Sequence, residues 1–104
     1  MNEAFKWYKL AAENGNVNGQ FNLGASYARG HGVIADQSEA IKWYTRAANA
    51  GHAKAMFYLG TRYMDGRGIA VDQREGLKWI KLAGETGDPE AKAIVVALLL
   101  QGRT

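Results

Sequence analysis

The pentapeptide Ala40-Ile41-Lys42-Trp43-Tyr44 decides the fold, because variants of it occur at a fixed distance on either side. Ala4-Phe5-Lys6-Trp7-Tyr8 precedes it by 36 residues, and Gly76-Leu77-Lys78-Trp79-Ile80 follows it by 36 residues. The same spacing relates further residues along the chain: Gly15, Gly51 and Gly87; Leu23-Gly24 and Leu59-Gly60; Tyr27 and Tyr63; Asp36 and Asp72. A period of this size is typical of stacked supersecondary units and not of one closed globule.

Each repeat predicts a pair of helices. Ala, Leu, Lys and Glu dominate the periodic stretches, and the chain contains one proline, which favours helix. Within residues 37–50, one face collects the apolar side chains, namely Ala40, Ile41, Tyr44, Ala47 and Ala48. This amphipathic pattern predicts a helix with one packed face. After a short turn, a second helix of each pair is predicted at 17–29, 53–65 and 89–101.

Capping residues mark the ends of the predicted helices. Asp36 precedes Glu39 at the spacing of a capping box, and Asp72 precedes Glu75 in the same way. In that motif the N-cap carboxylate accepts the third backbone N–H, while the glutamate reaches back to the N–H of the N-cap residue. The positions at which a left-handed residue closes a helix are occupied by glycine: Gly15, Gly51 and Gly87.

The predicted fold class is all-α: an α/α superhelical solenoid of about five to six helices in antiparallel pairs, without a sheet. We expect one domain over residues 1–104, made of a half repeat (1–15), two repeats (16–51 and 52–87) and a half repeat (88–104). Gly24 and Gly60 lie inside the second helices, where glycine costs about 1 kcal/mol relative to alanine. They therefore indicate a neighbouring helix that comes too close for a Cβ.

The two ends of the chain are expected to differ from the interior. Met1 stands inside a helix of the tryptophan type, whose preceding partner helix is expected to be missing. The last helix is apolar almost all round over residues 93–100. Such a helix is normally covered on several sides, so further chain or a second copy is expected to cover it.

Composition argues against several classes of protein. The chain of 104 residues has no cysteine, so we expect no disulfide, no thiolate metal site and no cysteine nucleophile. A net charge of +3 is far from the dense positive field of a dedicated nucleic-acid binder. The longest apolar run, 93–100, is too short to span a bilayer. The compartment stays open: cytoplasmic or, if a signal peptide was removed, periplasmic or secreted.

The repeat reads as A-x-x-W-Y-x-x-A-A-x-x-G, then A-x-x-x-L-G-x-x-Y, then G-x-G-V-x-x-D. This pattern resembles the Sel-1-like repeat family, a relative of the tetratricopeptide repeats, over essentially the whole chain. Tetratricopeptide repeats proper, of about 34 residues and without the Gly-x-Gly loop, are the second choice. The resemblance implies a right-handed α/α superhelix that acts as an adaptor or scaffold and binds other proteins along its inner groove.

The chain departs from the family pattern in two places. Val95-Val96 replaces Leu-Gly in the last half copy, which puts any role of that end in doubt. The paired cysteines of the secreted cysteine-rich branch are also absent. Some members of that branch are associated with penicillin binding and hydrolysis, and this activity is not carried over to the chain.

Residues that could carry other chemistry favour structural roles. The Gly-x-Gly loops at 30–32 and 66–68 follow predicted helices, so they fit turns better than phosphate loops. His31 and His52 stand in different registers of the repeat and are expected on the surface, without a metal. Ser26 and Ser38 have no histidine at an obvious spacing. No catalytic residue, metal ligand or cofactor is therefore predicted.

A basic ridge follows the tryptophan helices on the predicted convex side. Six residues form it: Lys6, Lys9, Lys42, Arg46, Lys78 and Lys81. We interpret it as a solvated face, with binding of nucleic acid or an anionic surface as an alternative. The tryptophans near it are expected to pack between helices rather than to stack on bases: Trp7, Trp43 and Trp79.

The second helices carry the predicted partner-binding surface. Opposite their packed face, equivalent positions change chemistry from unit to unit, as a non-periodic partner requires. The predicted concave binding face comprises Asn18, Asn22, Arg29, Lys54, Tyr58, Thr61, Arg62, Asp65 and Ile94. Tyr58 and Arg62 are the leading candidates, because tyrosine and arginine are favoured interface anchors.

The sequence thus predicts a non-enzymatic scaffold or adaptor that docks a protein or peptide on a preformed concave face. Binding of nucleic acid and insertion into a membrane are not expected. Two alternatives stay open: a small hydrolase similar to the cysteine-rich relatives (penicillin-binding or β-lactamase-like), and an anionic-surface or nucleic-acid binder acting through the convex lysines. We also expect a homo-oligomer formed through the exposed terminal helices.

Overall fold

The computed structural model describes residues 3–102, which form six α-helices in a row. They are α1 (Glu3–Glu13), α2 (Val17–Arg29), α3 (Gln37–Asn49), α4 (Ala53–Asp65), α5 (Gln73–Thr86) and α6 (Pro89–Leu100). Residues 3–102 contain no strand. The all-α prediction is confirmed, and the predicted second helices agree with α2, α4 and α6 to within one residue. The prediction concerning Met1 lies outside the described residues.

Each helix packs against its neighbours along the chain, and the molecule is elongated, with extents of 46 × 24 × 17 Å. A larger buried cluster joins α3, α4 and α5 through Tyr44, Leu59 and Ile80, and reaches α6 at a buried alanine. A smaller cluster joins Phe5 of α1 to Trp43 of α3. Burial only between successive units is the packing mode of a solenoid.

Two glycines inside helices allow the next helix to approach closely. A Cβ on Gly24 of α2 would lie 2.8 Å from the ring of Tyr44 on α3. A Cβ on Gly60 of α4 would lie 2.7 Å from the Ile80 side chain and 2.8 Å from the carbonyl oxygen of Gly76, both on α5. The prediction that a neighbouring helix excludes a Cβ at these positions is confirmed.

The aspartate caps form only one half of the predicted capping box. Asp36 Oδ1 accepts a hydrogen bond of 3.1 Å from the N–H of Glu39. The N–H of Asp36 donates to the carbonyl oxygen of Tyr27 at 2.9 Å, so it is not left for the glutamate. The equivalent bonds at Asp72 are 3.0 and 2.9 Å long. In place of the expected hydrogen bond to the glutamate, the N–H of each capping aspartate forms a hydrogen bond that links its loop to the preceding helix.

A different side chain caps each of α2, α4 and α6, in one register of the repeat. Asn16, His52 and Asp88 each accept the N–H three residues later, at 2.8, 3.1 and 2.9 Å. The His52 ring also stacks on Phe21, with centroids 4.5 Å apart. Burial lowers the pKa of His52, against the raising effect of its backbone hydrogen bond. The expectation of a surface residue is wrong for half-buried His52 and holds for exposed His31.

The three tryptophans are not equivalent. Trp43 is 6% exposed and lies in the same buried cluster as Phe5 of the preceding unit. Trp79 is half-buried and packs against the larger cluster. Trp7 is 64% exposed, so the prediction that it packs between helices is wrong. The reason is that no described residue precedes α1 and could cover Trp7 as Trp43 is covered.

Apolar side chains are exposed at both ends of the described solenoid. On α1 these are Trp7 and Leu10, and on α6 they include Val96, Leu99 and Leu100. In α2 and α4 the residues equivalent to this face of α6 pack under the next tryptophan helix. The described residues supply no such helix after α6, so its apolar face lies open.

Candidate partner-binding site

An open cleft of about 280 Å³ lies where α2 ends beside α3 and α4. Its lining combines three arginines, three aromatic rings and a threonine: Arg29, Arg62, Arg67, Tyr44, Phe57, Tyr58 and Thr61. We call this site the arginine cleft. Four of the nine residues predicted for partner binding meet here, namely Arg29, Tyr58, Thr61 and Arg62.

Packed aromatic rings form the wall of the arginine cleft. The Tyr58 ring stacks on Phe21 with centroids 5.6 Å apart and meets Tyr44 edge-on at 5.7 Å. Thr61 donates its hydroxyl hydrogen to the carbonyl oxygen of Tyr58 at 2.7 Å. Burial raises the pKa of Tyr44, while the nearby charge of Arg62 acts in the opposite direction. Because each ring is held by another ring, the wall is preformed.

Arg62 is the most confined cation of the cleft. Its guanidinium carbon lies 5.9 Å from the centroid of the Tyr44 ring, within the range of a cation–π interaction. Its Nε is buried and has no hydrogen-bond partner among the described residues. Burial, and next the positive charge of Arg67, lower the pKa of Arg62. A buried donor without an acceptor costs free energy, so an acceptor at this site stabilises it.

Arg67 and Asp65 form an exposed pair at the rim of the cleft. The Arg67 guanidinium donates to Asp65 Oδ2 at 2.9 and 3.0 Å, and the Arg67 backbone N–H donates to Oδ1 at 3.3 Å. Burial raises the pKa of Asp65, but the hydrogen bonds from Arg67 outweigh it and the net shift is downward. Exposed pairs contribute little stability, so this one mainly orients Arg67.

The other predicted residues lie outside the arginine cleft. Lys54 forms ion pairs with Asp88 at 2.6 Å and Glu90 at 3.0 Å, which tie α4 to the start of α6. The hydrogen bond that Lys54 donates to the Asp88 carboxylate is the main cause that raises the pKa of Lys54. Four residues are elsewhere on the surface or rim: Asn18 and Asn22 on α2, Asp65 at the end of α4, and Ile94 on α6.

Three lining residues of the cleft were not predicted from the sequence. Tyr44 and Phe57 follow the apolar pattern of their helices, which indicated packing alone. Arg67 stands in a Gly-x-Gly loop that was assigned to a turn. The position of Arg67 in the repeat could have indicated a surface role. His31 occupies the equivalent position one unit earlier, and a loop residue that changes between units is not fixed by packing.

The structure supports the competing sites less well than it supports the arginine cleft. Ser26, one of the two serines considered as nucleophiles, is 5% exposed. Five of the six residues of the basic ridge are exposed as expected: Lys6, Lys9, Lys42, Arg46 and Lys78. Across residues 3–102, no group of three or more His, Asp or Glu side chains is placed to hold a metal ion. No helix in that range is both long and apolar enough to cross a bilayer.

These features define a class: an all-helical repeat solenoid whose buried positions recur and whose open face varies. The Sel1 repeat model matches residues 1–16, 17–52 and 53–88, and the chain belongs to the Sel1 repeat family. Proteins of this family are generally non-catalytic interaction scaffolds that bind protein partners. The family and the fold class predicted from the sequence are therefore confirmed.

Solved structures with the same fold support this assignment. A Sel1 repeat protein from Oxalobacter formigenes is 40% identical, with a TM-score of 0.85 over 95% of this chain and 41% of its own. The antigen c5321 of uropathogenic Escherichia coli, which has an SLR fold, is 35% identical, with a TM-score of 0.86 over 93% and 21%. The chain thus spans less than half of these two relatives.

A third solved structure resembles the chain more distantly in sequence. The cysteine rich protein B of Helicobacter pylori is 25% identical, with a TM-score of 0.83 over 90% of this chain and 72% of its own. The chain itself contains no cysteine, so no disulfide links its helices. No curated protein sequence matches the chain.

Proposed function

We propose that the chain is an interaction module that binds a segment of a partner protein on the concave face formed by α2, α4 and α6. The arginine cleft is the main contact. The observation that carries this proposal is the convergence of four variable residues, among them Tyr58 and Arg62, with aromatic rings in one open cleft. A partner segment does not share the 36-residue period of the solenoid, so side chains that differ between units are better suited to contact it.

The packing of the wall keeps the cost of binding low. The rings of Phe21, Tyr44 and Tyr58 already hold one another in place. A preformed surface loses little conformational freedom when its partner docks. The remaining concave residues, Asn18, Asn22, Lys54, Asp65 and Ile94, extend the proposed face beyond the cleft towards both ends of the solenoid.

Peptide display tests this function. Peptides are selected on the immobilised chain, and the affinity of a selected peptide is measured by titration calorimetry. Tyr58→Ala is expected to weaken binding about 30-fold, as truncation of a central aromatic anchor does. Lys42→Ala, on the basic ridge of α3, serves as the control and is expected to leave the affinity unchanged.

Two results would assign the function to another site and so contradict the proposal. One is a dependence on Lys42 that exceeds the dependence on Tyr58, together with a steep loss of affinity in added salt, which would assign function to the basic ridge. The other is turnover of a reactive acyl substrate that is lost on Ser38→Ala. A failure to select any peptide also counts against it.

A further inference from the structure

The arginine cleft concentrates positive charge on an otherwise weakly charged chain. Arg29, Arg62 and Arg67 line it, and no carboxylate is among its lining residues; Asp65 pairs with Arg67 outside this lining, at the rim. The net charge of all 104 residues is only +3. Resting on the proposed function, we infer that the occupant of the cleft is an acidic segment of the partner protein. One Asp or Glu side chain of that segment reaches Arg62, and a neighbouring apolar side chain packs on Tyr58.

The state of Arg62 favours a carboxylate as its ligand. Its Nε is buried without an acceptor, and both burial and the charge of Arg67 disfavour its charged form. A carboxylate relieves both costs, since it accepts two parallel N–H bonds from a guanidinium and compensates its charge. The aromatic ring of Tyr44 beneath the guanidinium limits access of water and strengthens such a pair.

The cleft is specific to one unit of the solenoid. The positions of Tyr58, Arg62 and Arg67 are occupied one unit earlier by Asn22, Ser26 and His31, a set without arginine or lysine. Packing positions such as Gly24 and Gly60 keep their identity over the same interval. A single acidic contact therefore suits this surface better than a periodic array of phosphates.

The aromatic residues also argue against nucleic acid as the occupant. Binding of single strands uses aromatic faces on which successive bases stack. In the arginine cleft, Tyr58 is packed on Phe21 and against Tyr44, and Tyr44 is only 1% exposed. These rings support Arg62 instead of offering a row of open faces.

Fluorescence anisotropy with defined peptides tests the inference. The probes are a labelled peptide in which Glu and Leu alternate and its counterpart with Gln in place of Glu, both titrated with the full chain. We expect the Glu peptide to bind at least about tenfold more tightly. Arg62→Gln is expected to weaken the Glu peptide about tenfold or more. Arg74→Gln, which removes one exposed charge from α5, is the matched control and should change affinity less than twofold.

Three outcomes overturn the inference: equal affinity for the two peptides, equal effects of Arg62→Gln and Arg74→Gln, or no binding of the Glu peptide at low salt. Circular dichroism checks that each variant is folded. If Arg62→Gln unfolds the chain, Arg29→Gln on the exposed last turn of α2 replaces it, with the same expected loss.

A nucleic-acid probe decides between the two classes of occupant. The probe is a labelled single-stranded RNA of the same charge as the Glu peptide. If the RNA binds more tightly than the peptide and loses affinity on Arg62→Gln, the inference of an acidic peptide is overturned. Display-selected peptides that depend on Tyr58 but carry no Asp or Glu overturn this inference alone, while the proposed function stands. If neither peptide display nor the anisotropy assay detects binding, the proposed function and the inference of an acidic segment are both rejected.

Discussion

The repeats at 17–52 and 53–88 share one frame, made of the same packing glycines and aspartate caps, and present two different surfaces. Gly24 and Gly60 each receive the following helix, and the two aspartate caps make the same pair of hydrogen bonds. Around the cleft, by contrast, a buried Ser26 in the first repeat corresponds to Arg62 in the second. Frame positions face the neighbouring unit, which is itself a repeat, so they recur. Surface positions face a partner, so they are free to differ.

The frame is not identical in detail, and Gly60 gives the largest expected effect. A Cβ at this position meets the backbone carbonyl of Gly76 as well as Ile80. We expect Gly60→Ala to lower the free energy of unfolding by about 1–3 kcal/mol, although alanine gains about 1 kcal/mol in helix propensity. Urea denaturation followed by circular dichroism measures this loss.

The matched control is Gly24→Ala in the first repeat. There the nearest atoms belong to the Tyr44 ring, and the backbone oxygen of Ala40 is 3.3 Å away, farther than the 2.8 Å that separates the Cβ position of Gly60 from the Gly76 oxygen. A smaller loss is expected than for Gly60→Ala. A variant Gly60→Ala as stable as the parent chain would show that α4 and α5 are not in close contact.

The second prediction extends the comparison to α6, the third helix in the register of α2 and α4. Its apolar face is open, with Leu99 57% exposed, and Trp7 is exposed at the other end. We expect a molar mass that rises with concentration in light scattering. Leu99→Lys should weaken this association about tenfold, or 1.4 kcal/mol.

Ile34→Lys is the control for that variant, because Ile34 is 89% exposed in a loop and away from both end surfaces. A strict monomer at high concentration contradicts the expected homo-oligomer. An equal effect of Ile34→Lys and Leu99→Lys would place the contact elsewhere.

The third prediction concerns the caps that the two repeats share. Asp36→Ala and Asp72→Ala are each expected to cost about 1 kcal/mol of unfolding free energy, because each removes a side-chain acceptor from a helix N-terminus. Asp36→Ser and Asp72→Ser should restore most of the loss. Thermal melting of the four variants provides the measurement, and very different losses in the two repeats would contradict a common frame.

The smallest effect is expected at the caps that differ, Asn16 and His52. Because the pKa of His52 is lowered in the fold, the unfolded chain binds the proton more readily. His52 therefore contributes stability that is complete above its ordinary pKa near 6.5 and declines as pH falls towards its folded value. His52→Asn, which copies Asn16 and does not titrate, should flatten this part of the profile of unfolding free energy against pH.

His31→Asn provides the control for the pH profile, since His31 is exposed. The His31 variant should keep the slope of the parent chain. A profile in which the parent chain becomes more stable as pH falls through this window would contradict the capping role of neutral His52.

Sequence alone was enough for the frame. Helix bounds followed from apolar faces and caps that lie within a few residues of one another, such as Asp36 and Glu39. The close approach at Gly24 and Gly60 followed from the period, since in a stack every unit meets the same neighbour. The boundaries of the units stay a prediction, because packing is continuous from one helix to the next.

Only the tertiary structure decided which variable residues meet. Arg67 joins Arg29 and Arg62 because the loop after α4 turns back beside α2 and α3, and no local pattern encodes that turn. The exposure of Trp7 and the stacking of His52 on Phe21 were likewise invisible in the sequence. Local capping and periodic burial depend on neighbours in the chain, whereas the cleft depends on how one unit is rotated onto the next.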